Sequence, residues 1–314
     1  MTGSSPAQRR PHFRRDNPPA LRLTEDDLAL LRHVAKHRFL RSTQIVRLLA
    51  RPPKKIVERL GALYHTGYLD RPRAQLDYYA TAGSSPMVYG LGNRGASALA
   101  HLDCVAAPKV DWTDKNRDAG RPFIEHTLMV AEVMIGFELA VSARDDVALM
   151  EPHALLARAP EATQRASNPW KWQVNVASGG QTQTIAQVPD KMFGLDLTSA
   201  RKRIYFVLEA DRATMPVLRS NLKQTSVQRK LLGYYHAYKT GVHKDRYGIA
   251  NFRVLTVTTS PQRMATMMQA VKDLTGGSGS NLFLFADASV LSAADDVLTF
   301  EWTSGKVEPV RLIE

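Results

Sequence analysis

The stretch VPDKMFGLDLTSARKRIYFVLEADR, residues 188–212, carries a Pro-Asp pair, a basic turn and then an apolar run that ends in two acidic residues. Side chains alternate between the faces of a β-strand, so Glu209 and Asp211 are expected to share one face. We expect Asp190 to end the preceding strand, and an antiparallel neighbour would bring it beside Glu209. The stretch therefore predicts two adjacent strands on which three carboxylates converge.

Three converging carboxylates suit a divalent cation. Mg²⁺ prefers oxygen ligands in near-octahedral geometry and keeps water molecules that can attack a phosphodiester. We expect Asp190 and Glu209 to hold Mg²⁺ and Asp211 to take part in catalysis beside them. Each acid alone also suits a structural role, because Pro-Asp pairs are common in turns and Asp211 next to Arg212 suits a surface ion pair.

Helical and strand patterns alternate on both sides of this stretch. Residues 123–143 predict a long helix, and residues 226–241 and 260–274 predict two more. Strands are expected in the segments VALMEPHALLA, KWQVNVA, QTIAQVPD, RIYFVLEADR, FRVLTVTT and NLFLFAD. Residues 123–314 are therefore predicted to form an α/β domain with a mixed sheet, and the whole chain to be α+β.

The charge of the chain is concentrated near its start. The 314 residues carry a formal net charge of +12, and residues 1–100 hold 17 Lys and Arg against 7 Asp and Glu. A local basic excess predicts a polyanionic partner, and we expect double-stranded DNA. The length suits two domains, since single domains typically hold about 100–150 residues.

The composition also excludes several classes of protein. The single cysteine, Cys104, excludes an internal disulfide framework and fits a reducing cytoplasm. The longest apolar stretch is interrupted by Glu132 and Glu138, so we expect no membrane span. The arginines near the start are not followed by an apolar segment, so no signal peptide is expected. The protein is predicted to be cytoplasmic.

The first third of the chain reads as a small helical domain preceded by a tail. Residues 1–22 are rich in Pro, Arg and Ser and predict a disordered basic arm. Residues 23–106 predict three short helices, two short strands around a polar loop and a further helix. This order is typical of a winged helix-turn-helix domain. Residues 107–122 are polar and are expected to be a linker.

A winged helix binds DNA by placing its third helix in the major groove. The basic residues expected to contact DNA lie at this helix and in the following loop: Arg51, Lys54, Lys55, Arg59, Arg71 and Arg73. Lysines and arginines of this kind can contact phosphates alone, so the pattern does not indicate a base preference. The alternative is a winged helix that contacts only other proteins.

The acidic stretch resembles a known superfamily. Pro189-Asp190, followed by Glu209-Ala210-Asp211 on an apolar strand, is similar to the PD-(D/E)xK nucleases. The resemblance implies a nuclease-like fold and metal-dependent cleavage of DNA by a catalytic Asp190 and Glu209. The sequence departs from the superfamily at Asp211, where a lysine that orients the attacking water is usual, and this departure favours a domain that has lost catalysis.

In some members of that superfamily the lysine lies on a neighbouring helix. The resemblance implies that a lysine of the next helix takes this role here, with Lys230 as the first candidate and Lys223 as the second. Tyr234 lies one helical turn beyond Lys230 and is expected on the same face. The long helix offers one further candidate, His126 together with Glu125 or Glu132, although a lone helical histidine is more often a packing residue.

The order of these features resembles the replication-relaxation family of plasmid and mobile-element proteins. The resemblance extends over about residues 24–290 and implies a DNA-binding protein that acts in plasmid replication or DNA relaxation, possessing or lacking endonuclease activity. A catalytically inactive accessory factor and a winged-helix transcriptional regulator are the alternatives. The sequence leaves open whether the protein forms a homodimer. We expect no nucleotide cofactor, because neither a Walker loop nor a dinucleotide fingerprint is present.

Overall fold

The computed structural model describes residues 12–75, 85–106, 109–178, 181–219 and 224–313. The chain divides into two compact units, Met1–Ala131 and Glu132–Glu314. The chain contains both helices and sheets, as the predicted α/β class requires. Among the described residues, no helix combines the length and the apolar character that a membrane crossing needs.

The first unit consists of short helices around a small antiparallel sheet. Its elements are α1 (Glu25–His37), β1 (Phe39–Arg41), α2 (Ser42–Leu49), α3 (Pro53–His65), β2 (Leu69–Asp70), a 3-10 turn (Arg73–Gln75), β3 (Val88–Leu91), α4 (Asn93–Leu102) and α5 (Trp112–Arg117). The strand order is β1-β3-β2. Residues 76–84, in the loop expected to form the wing, lie outside the described residues.

The helix boundaries of the first unit follow from local chemistry. Thr24 caps α1 through a reciprocal hydrogen-bond pair with Asp27, and carboxylates in the first turn suit the positive end of the helix dipole. Pro53 opens α3, where its missing N–H costs no helical hydrogen bond. Leu31 of α1 and Leu60 of α3 are fully buried and belong to the core of the unit, whereas Val57 of α3 is 52% exposed.

The segment expected to be a disordered arm is partly ordered. Residues 1–11 lie outside the described residues, but Arg14 donates hydrogen bonds to the carbonyl oxygen of Leu69 at 3.0 Å and to Asp70 at 2.7 Å. The Arg14 guanidinium also lies 4.6 Å from the ring centroid of Tyr64. The chain around Arg14 is therefore anchored to the first unit, whereas the disorder expected for the rest of the arm stays a prediction.

The expected linker also contains ordered structure. Helix α5 lies within residues 107–122, and its Asn116 is buried. The Asn116 amide donates to the carbonyl oxygen of Leu91 at 2.8 Å and to Asp70 at 3.1 Å. The polar composition of this stretch thus reflects a buried hydrogen-bond network as well as exposed surface, and α5 belongs to the first unit.

The second unit begins within α6 (Arg121–Ser142), which carries the chain out of the first. Its other elements are β4 (Val147–Met150), α7 (Pro152–Leu156), α8 (Glu161–Gln164), β5 (Trp172–Ser178), β6 (Gln181–Gln187), β7 (Lys191–Leu197), β8 (Lys202–Asp211), α9 (Val227–Thr240), α10 (Val242–Tyr247), β9 (Arg253–Thr258), α11 (Pro261–Leu274), β10 (Phe283–Asp287), α12 (Ala288–Ser292), β11 (Trp302–Ser304) and β12 (Pro309–Val310).

The strands of the second unit form a mixed sheet in the order β12-β11-β10-β9-β8-β7-β4. Strands β8, β9 and β10 are parallel to one another, whereas β7 is antiparallel to both β8 and β4. Strands β5 and β6 form a separate hairpin. The core joins Val207, Val254 and Phe283 of the sheet with Leu231 and Tyr234 of α9.

The strand pattern differs from the expectation at two places. The segment VALMEPHALLA contains β4 and then α7, because Pro152 opens a helical turn after Met150. Strand β7 was not expected, and it places Asp190 immediately before a strand instead of at the end of one. The near-continuous burial of β7 explains the missed pattern, since a central strand lacks the alternation of a half-buried one.

Candidate acidic site at the carboxyl end of β8

The pairing of β7 with β8 brings Asp190 to Glu209. Lys191 lies opposite Leu208 in the antiparallel register, so the preceding residue, Asp190, lies across from Glu209. The Oδ2 atom of Asp190 accepts a hydrogen bond of 2.8 Å from the backbone N–H of Ala210. The proximity of Asp190 and Glu209 predicted from the sequence is therefore present, although a different strand provides it.

Glu209 lies at the centre of the candidate site. Its side chain is only 9% exposed, and its Oε2 atom lies 2.5 Å from the Nζ atom of Lys230 on α9. The hydroxyl group of Tyr234, one turn later on α9, donates a hydrogen bond to Oε1. Both carboxylate oxygens of Glu209 thus have a donor from α9, and Lys230 and Tyr234 share the helix face that the sequence predicts.

The electrostatics of the site follow from burial and from the two acids. Burial raises the pKa of Glu209, and the nearby charge of Asp190 raises it further. Burial opposes the charge of Lys230, but the carboxylates of Glu209 and Asp190 raise its pKa above the ordinary value. Burial also raises the pKa of Tyr234 well above its ordinary value. The lysine is therefore held charged and the tyrosine neutral at physiological pH.

A residue that the sequence analysis did not single out positions α9. The Nε2 atom of the buried Gln187, at the end of β6, donates a hydrogen bond of 2.5 Å to the carbonyl oxygen of Lys230. The approach requires a glycine at position 233, where a Cβ atom would lie 2.7 Å from the Gln187 amide. A glycine in the middle of a helix lowers the stability of that helix. Gly233 was therefore the feature of the sequence that could have indicated a close contact on α9.

Asp211 is bound separately from the other two acids. Its Oδ1 atom lies 2.7 Å from Nη2 of Arg263 on α11, and Nε of Arg263 also donates to its Oδ2 atom. The hydroxyl group of Thr258 donates to Oδ2 at 2.7 Å. Within the described part of the chain, the oxygens of Asp190, Glu209 and Asp211 do not gather within 4.8 Å of one another. The expected convergence of three carboxylates is thus reduced to two.

A small cavity opens onto the Glu209 side of the site. Its volume is about 90 Å³, and its lining includes Glu209, Lys230 and Tyr234 together with Ser226 and Arg229. A cavity of this volume exceeds the roughly 10–15 Å³ that one water molecule requires. The carboxylate of Glu209 is therefore buried from bulk solvent but lies beside a space that a water molecule or a small ion can enter.

One of the further candidates on the long helix has a partner on that helix. Glu125 accepts a hydrogen bond of 2.7 Å from Arg121, one turn earlier on α6. Lys223 lies outside the described residues, so Lys230 is the lysine that the structure places at the acids.

The expected DNA-binding residues fall into two groups. Lys54 and Lys55 are exposed at the start of α3, and Arg73 is exposed in the 3-10 turn. Arg51 is also exposed but pairs with Asp26, at 3.1 Å between Nε and Oδ2. These four side chains are available at the surface of the first unit.

Arg59 and Arg71 are engaged within the first unit. Arg59 donates from Nε and Nη2 to the two oxygens of Asp27, each at 2.5 Å. The Arg71 guanidinium lies 4.2 Å from the ring centroid of Tyr64 and donates to the hydroxyl group of Tyr89 at 3.0 Å. These two arginines stabilise the unit itself, a role that their position in the sequence did not indicate.

The sequence model of one protein family, described as replication-relaxation, matches residues 31–252, which is more than half of the chain. The chain belongs to the replication-relaxation family. No curated protein and no solved structure matches it. The family points to a role in the replication or relaxation of mobile elements.

The replication-relaxation match includes the acidic site but not all of its surroundings. Asp190, Glu209 and Lys230 fall within the matched residues, whereas Arg263 lies beyond them. The pair that binds Asp211 therefore combines one residue inside the family match with one outside it.

Proposed function

We propose that this member of the replication-relaxation family binds duplex DNA through its first unit and cleaves DNA with a divalent cation at the acidic site of its second. The observation that carries the proposal is the meeting of Asp190 and Glu209 at the carboxyl end of β8, with the ammonium group of Lys230 on Glu209. Two carboxylates and one lysine at a strand end are the groups that the PD-(D/E)xK resemblance implies.

The topology of the second unit supports the comparison. Helix α6 is followed by β4, β7 and β8, which are successively antiparallel neighbours, and α9 then leads to β9, which is parallel to β8. The acids lie at the start of β7 and on β8, while the lysine lies on the helix that follows. This arrangement supports a nuclease-like fold, in which the β5-β6 hairpin is an addition between β4 and β7.

The donor set fits a magnesium ion. Asp190 and Glu209 offer oxygen ligands from adjacent strands, and Mg²⁺ is typically bound by one or two carboxylates while it keeps several waters. Burial raises the pKa of Glu209 and the charge of Asp190 adds to this rise, so a cation between the two carboxylates would relieve their repulsion. A bound Mg²⁺ would polarise the phosphodiester and lower the pKa of a bound water.

The other residues of the site hold protons and charge. Lys230 stays protonated, so it can stabilise negative charge that develops on a phosphate during cleavage. Tyr234 also keeps its proton, so it acts as a hydrogen-bond donor that fixes the orientation of the Glu209 carboxylate. Gln187 holds the backbone of α9 at Lys230 and thereby the distance between helix and strand.

The first unit supplies the duplex-binding surface in this proposal. The order α1-β1-α2-α3-β2-β3 supports a winged helix-turn-helix, and α3 would then enter the major groove. Lys54 and Lys55 are exposed on α3, and a Cβ atom at Gly61 would meet nothing within 4 Å. An open glycine on this helix lets a DNA strand approach the backbone closely.

The cleavage activity is tested with supercoiled plasmid in the presence of Mg²⁺ or Mn²⁺. The wild-type protein should convert the plasmid to open circles, and Asp190→Ala and Glu209→Ala should each abolish the conversion. Asp211→Asn serves as a matched acidic control outside the pair. Conversion that persists in both alanine variants, or that does not require a metal, would contradict the assignment.

Duplex binding is tested by fluorescence anisotropy with a labelled duplex at several salt concentrations. Lys54→Ala/Lys55→Ala should weaken binding and reduce the salt slope by about two, since each phosphate contact contributes roughly 0.9. Lys171→Ala/Lys306→Ala removes two exposed lysines of the second unit as a control for net charge. Equal losses in both double variants would contradict the placement of the duplex on α3.

A second candidate function is a non-catalytic replication factor with a nuclease-like fold. The observation that favours it is the position of Asp211, where the superfamily pattern has lysine and this chain has an acid that is held by Arg263. In that case the wild type would bind the labelled duplex in the anisotropy experiment but would show no metal-dependent conversion of the plasmid.

A further inference from the structure

A large groove lies at the opposite end of the sheet from the acidic site. Its volume is about 920 Å³, and it is lined by residues at the start of β8, β9 and β10 and near the chain end, among them Lys202, Arg253, Asn281 and Arg311. Lys202 begins the strand on which Glu209 lies seven residues later. At about 3.3 Å per strand residue the two positions are roughly 23 Å apart, so the groove is a separate site.

The groove is positively charged. Four basic side chains line it, Arg144, Lys202, Arg253 and Arg311, against the single carboxylate of Asp146. Arg144 donates to both oxygens of Asp146 at 2.8 Å, and Arg311 pairs with Glu301 at 2.6 Å. Lys202 and Arg253 are thus the cations best placed to meet a ligand. A concave basic surface concentrates anions.

The groove also contains aromatic side chains. Tyr238 remains 42% exposed although its ring stacks on His243, with centroids 5.4 Å apart and planes 4° from parallel. His243 is buried, and its ring nitrogens lie 3.3 Å from the carbonyl oxygen of Ala237 and 3.1 Å from that of Ala250. Tyr238 is therefore held on a fixed ring, and Tyr205 adds a second aromatic side chain to the lining.

We propose that this groove binds single-stranded DNA. Basic side chains that follow a phosphate backbone, combined with aromatic rings on which bases stack, are the features of such sites. A duplex presents no base faces for Tyr238 and Tyr205 to stack on. The volume is at the upper end of the roughly 300–1,000 Å³ of small-ligand pockets, which suits several linked nucleotides better than one. The inference does not rest on the duplex surface or on the acidic site.

The test measures binding of fluorescein-labelled oligo(dT) to the full chain by anisotropy, in EDTA so that no cleavage intervenes. Lys202→Glu/Arg253→Glu should weaken oligo(dT) binding by at least tenfold. Tyr238→Ala should weaken it by about tenfold, the scale of one stacked base, whereas Tyr238→Phe should stay within twofold of wild type. Duplex binding by each variant should remain within twofold, and an unchanged thermal unfolding midpoint of the second unit verifies that the variants are folded.

Lys171→Glu/Lys306→Glu is the matched control, because it makes the same change in net charge at exposed positions of the second unit outside the groove. An equal loss of oligo(dT) binding in this control would overturn the proposal. So would unchanged binding in the groove variant, or competition by the mononucleotide dTMP at concentrations similar to those of the oligonucleotide, which would indicate a small-anion site.

Discussion

Lys230 on α9 and Glu209 on β8 form an ion pair, with 2.5 Å between Nζ and Oε2, in which the carboxylate is almost completely buried and the lysine is 35% exposed. The pair connects the helix to the strand that carries the acids. Tyr234 donates to the second oxygen of the same carboxylate. The stability of the second unit and the chemistry proposed for the acidic site therefore depend on the same contacts.

Replacement of Lys230 by Met should leave the buried Glu209 without its charge partner. We expect the free energy of unfolding to fall by about 1–3 kcal/mol, which is less than for a fully buried pair because the lysine is partly exposed. Chemical denaturation of wild type, Lys230→Met, Glu209→Gln and the double variant measures the coupling. A double variant as unstable as the sum of the two single variants would contradict a direct pair.

The same variant should change the dependence of stability on pH. The folded-state pKa of Glu209 is raised, so its contribution is fully present below the unfolded pKa and is lost as pH rises through the folded pKa. Without Lys230 this loss should be larger. Thermal melts should therefore show a greater deficit for Lys230→Met at pH 8 than at pH 5, and an equal deficit at both would contradict the burial argument.

Asp211 should contribute to stability more than to cleavage. Asp211→Asn removes the charge partner of Arg263 in a pair whose side chains are 12% and 15% exposed, so a loss of about 3–5 kcal/mol is expected. Plasmid conversion measured below the melting temperature should stay close to wild type. Arg263→Met should destabilise to a similar extent, and a selective loss of cleavage in Asp211→Asn at unchanged stability would show a catalytic role.

Gly233 should be intolerant of a side chain because of Gln187. Gly233→Ala places a Cβ atom 2.7 Å from a buried amide that is held by the carbonyl oxygen of Lys230, so a loss of about 1–3 kcal/mol is expected. Gly136→Ala is the matched control on α6, since its Cβ would lie 3.8 Å from Val297, and it should stabilise by about 0.5–1 kcal/mol. Denaturation midpoints that fall equally in both variants would contradict this difference.

Arg59 should act in folding of the first unit. Its partner Asp27 is 1% exposed, and Arg59→Ala should cost about 3 kcal/mol. Burial opposes the charge of Asp27, but hydrogen bonds from Arg59 and Thr24 lower its pKa, so this stabilisation is present above the unfolded pKa and is lost as pH falls through the folded pKa.

The matched control for Arg59 is Arg51→Ala, which removes an arginine from an exposed pair with the neighbouring Asp26 and should cost about 0–1 kcal/mol. Folded Arg59→Ala protein should keep its duplex affinity. A loss of duplex affinity without a loss of stability would contradict this role and would indicate that Arg59 contacts DNA.

Local patterns predicted most elements because caps and apolar periodicity are encoded within a few residues. Ser226 caps α9 and Ser260 caps α11, each through a hydrogen bond from a backbone N–H three residues later. The partners of single charged residues depend on which elements pack together, and no local pattern contains that information. Arg263 reaches Asp211 across 52 residues, and Arg59 reaches Asp27 across 32.

In the acidic site, too, local sequence patterns did not predict which elements pack together. The proximity of Asp190 and Glu209 was predicted, but through the wrong strand, because the buried strand β7 lacks an alternating pattern. Asp211 shares a strand with Glu209, and strand geometry alone suggests a common site. Asp211 instead binds Arg263 of α11, a consequence of tertiary packing that strand periodicity does not report.

Asp190 and Glu209 together are proposed to hold one divalent cation. Titration of Mn²⁺ into the metal-free protein, with free Mn²⁺ measured by electron paramagnetic resonance, tests it directly in wild type, Asp190→Asn, Glu209→Gln and Asp211→Asn. We expect one bound ion in wild type and in Asp211→Asn, and none in the other two variants. Equal binding by all four proteins, or no binding by the wild type, would contradict it.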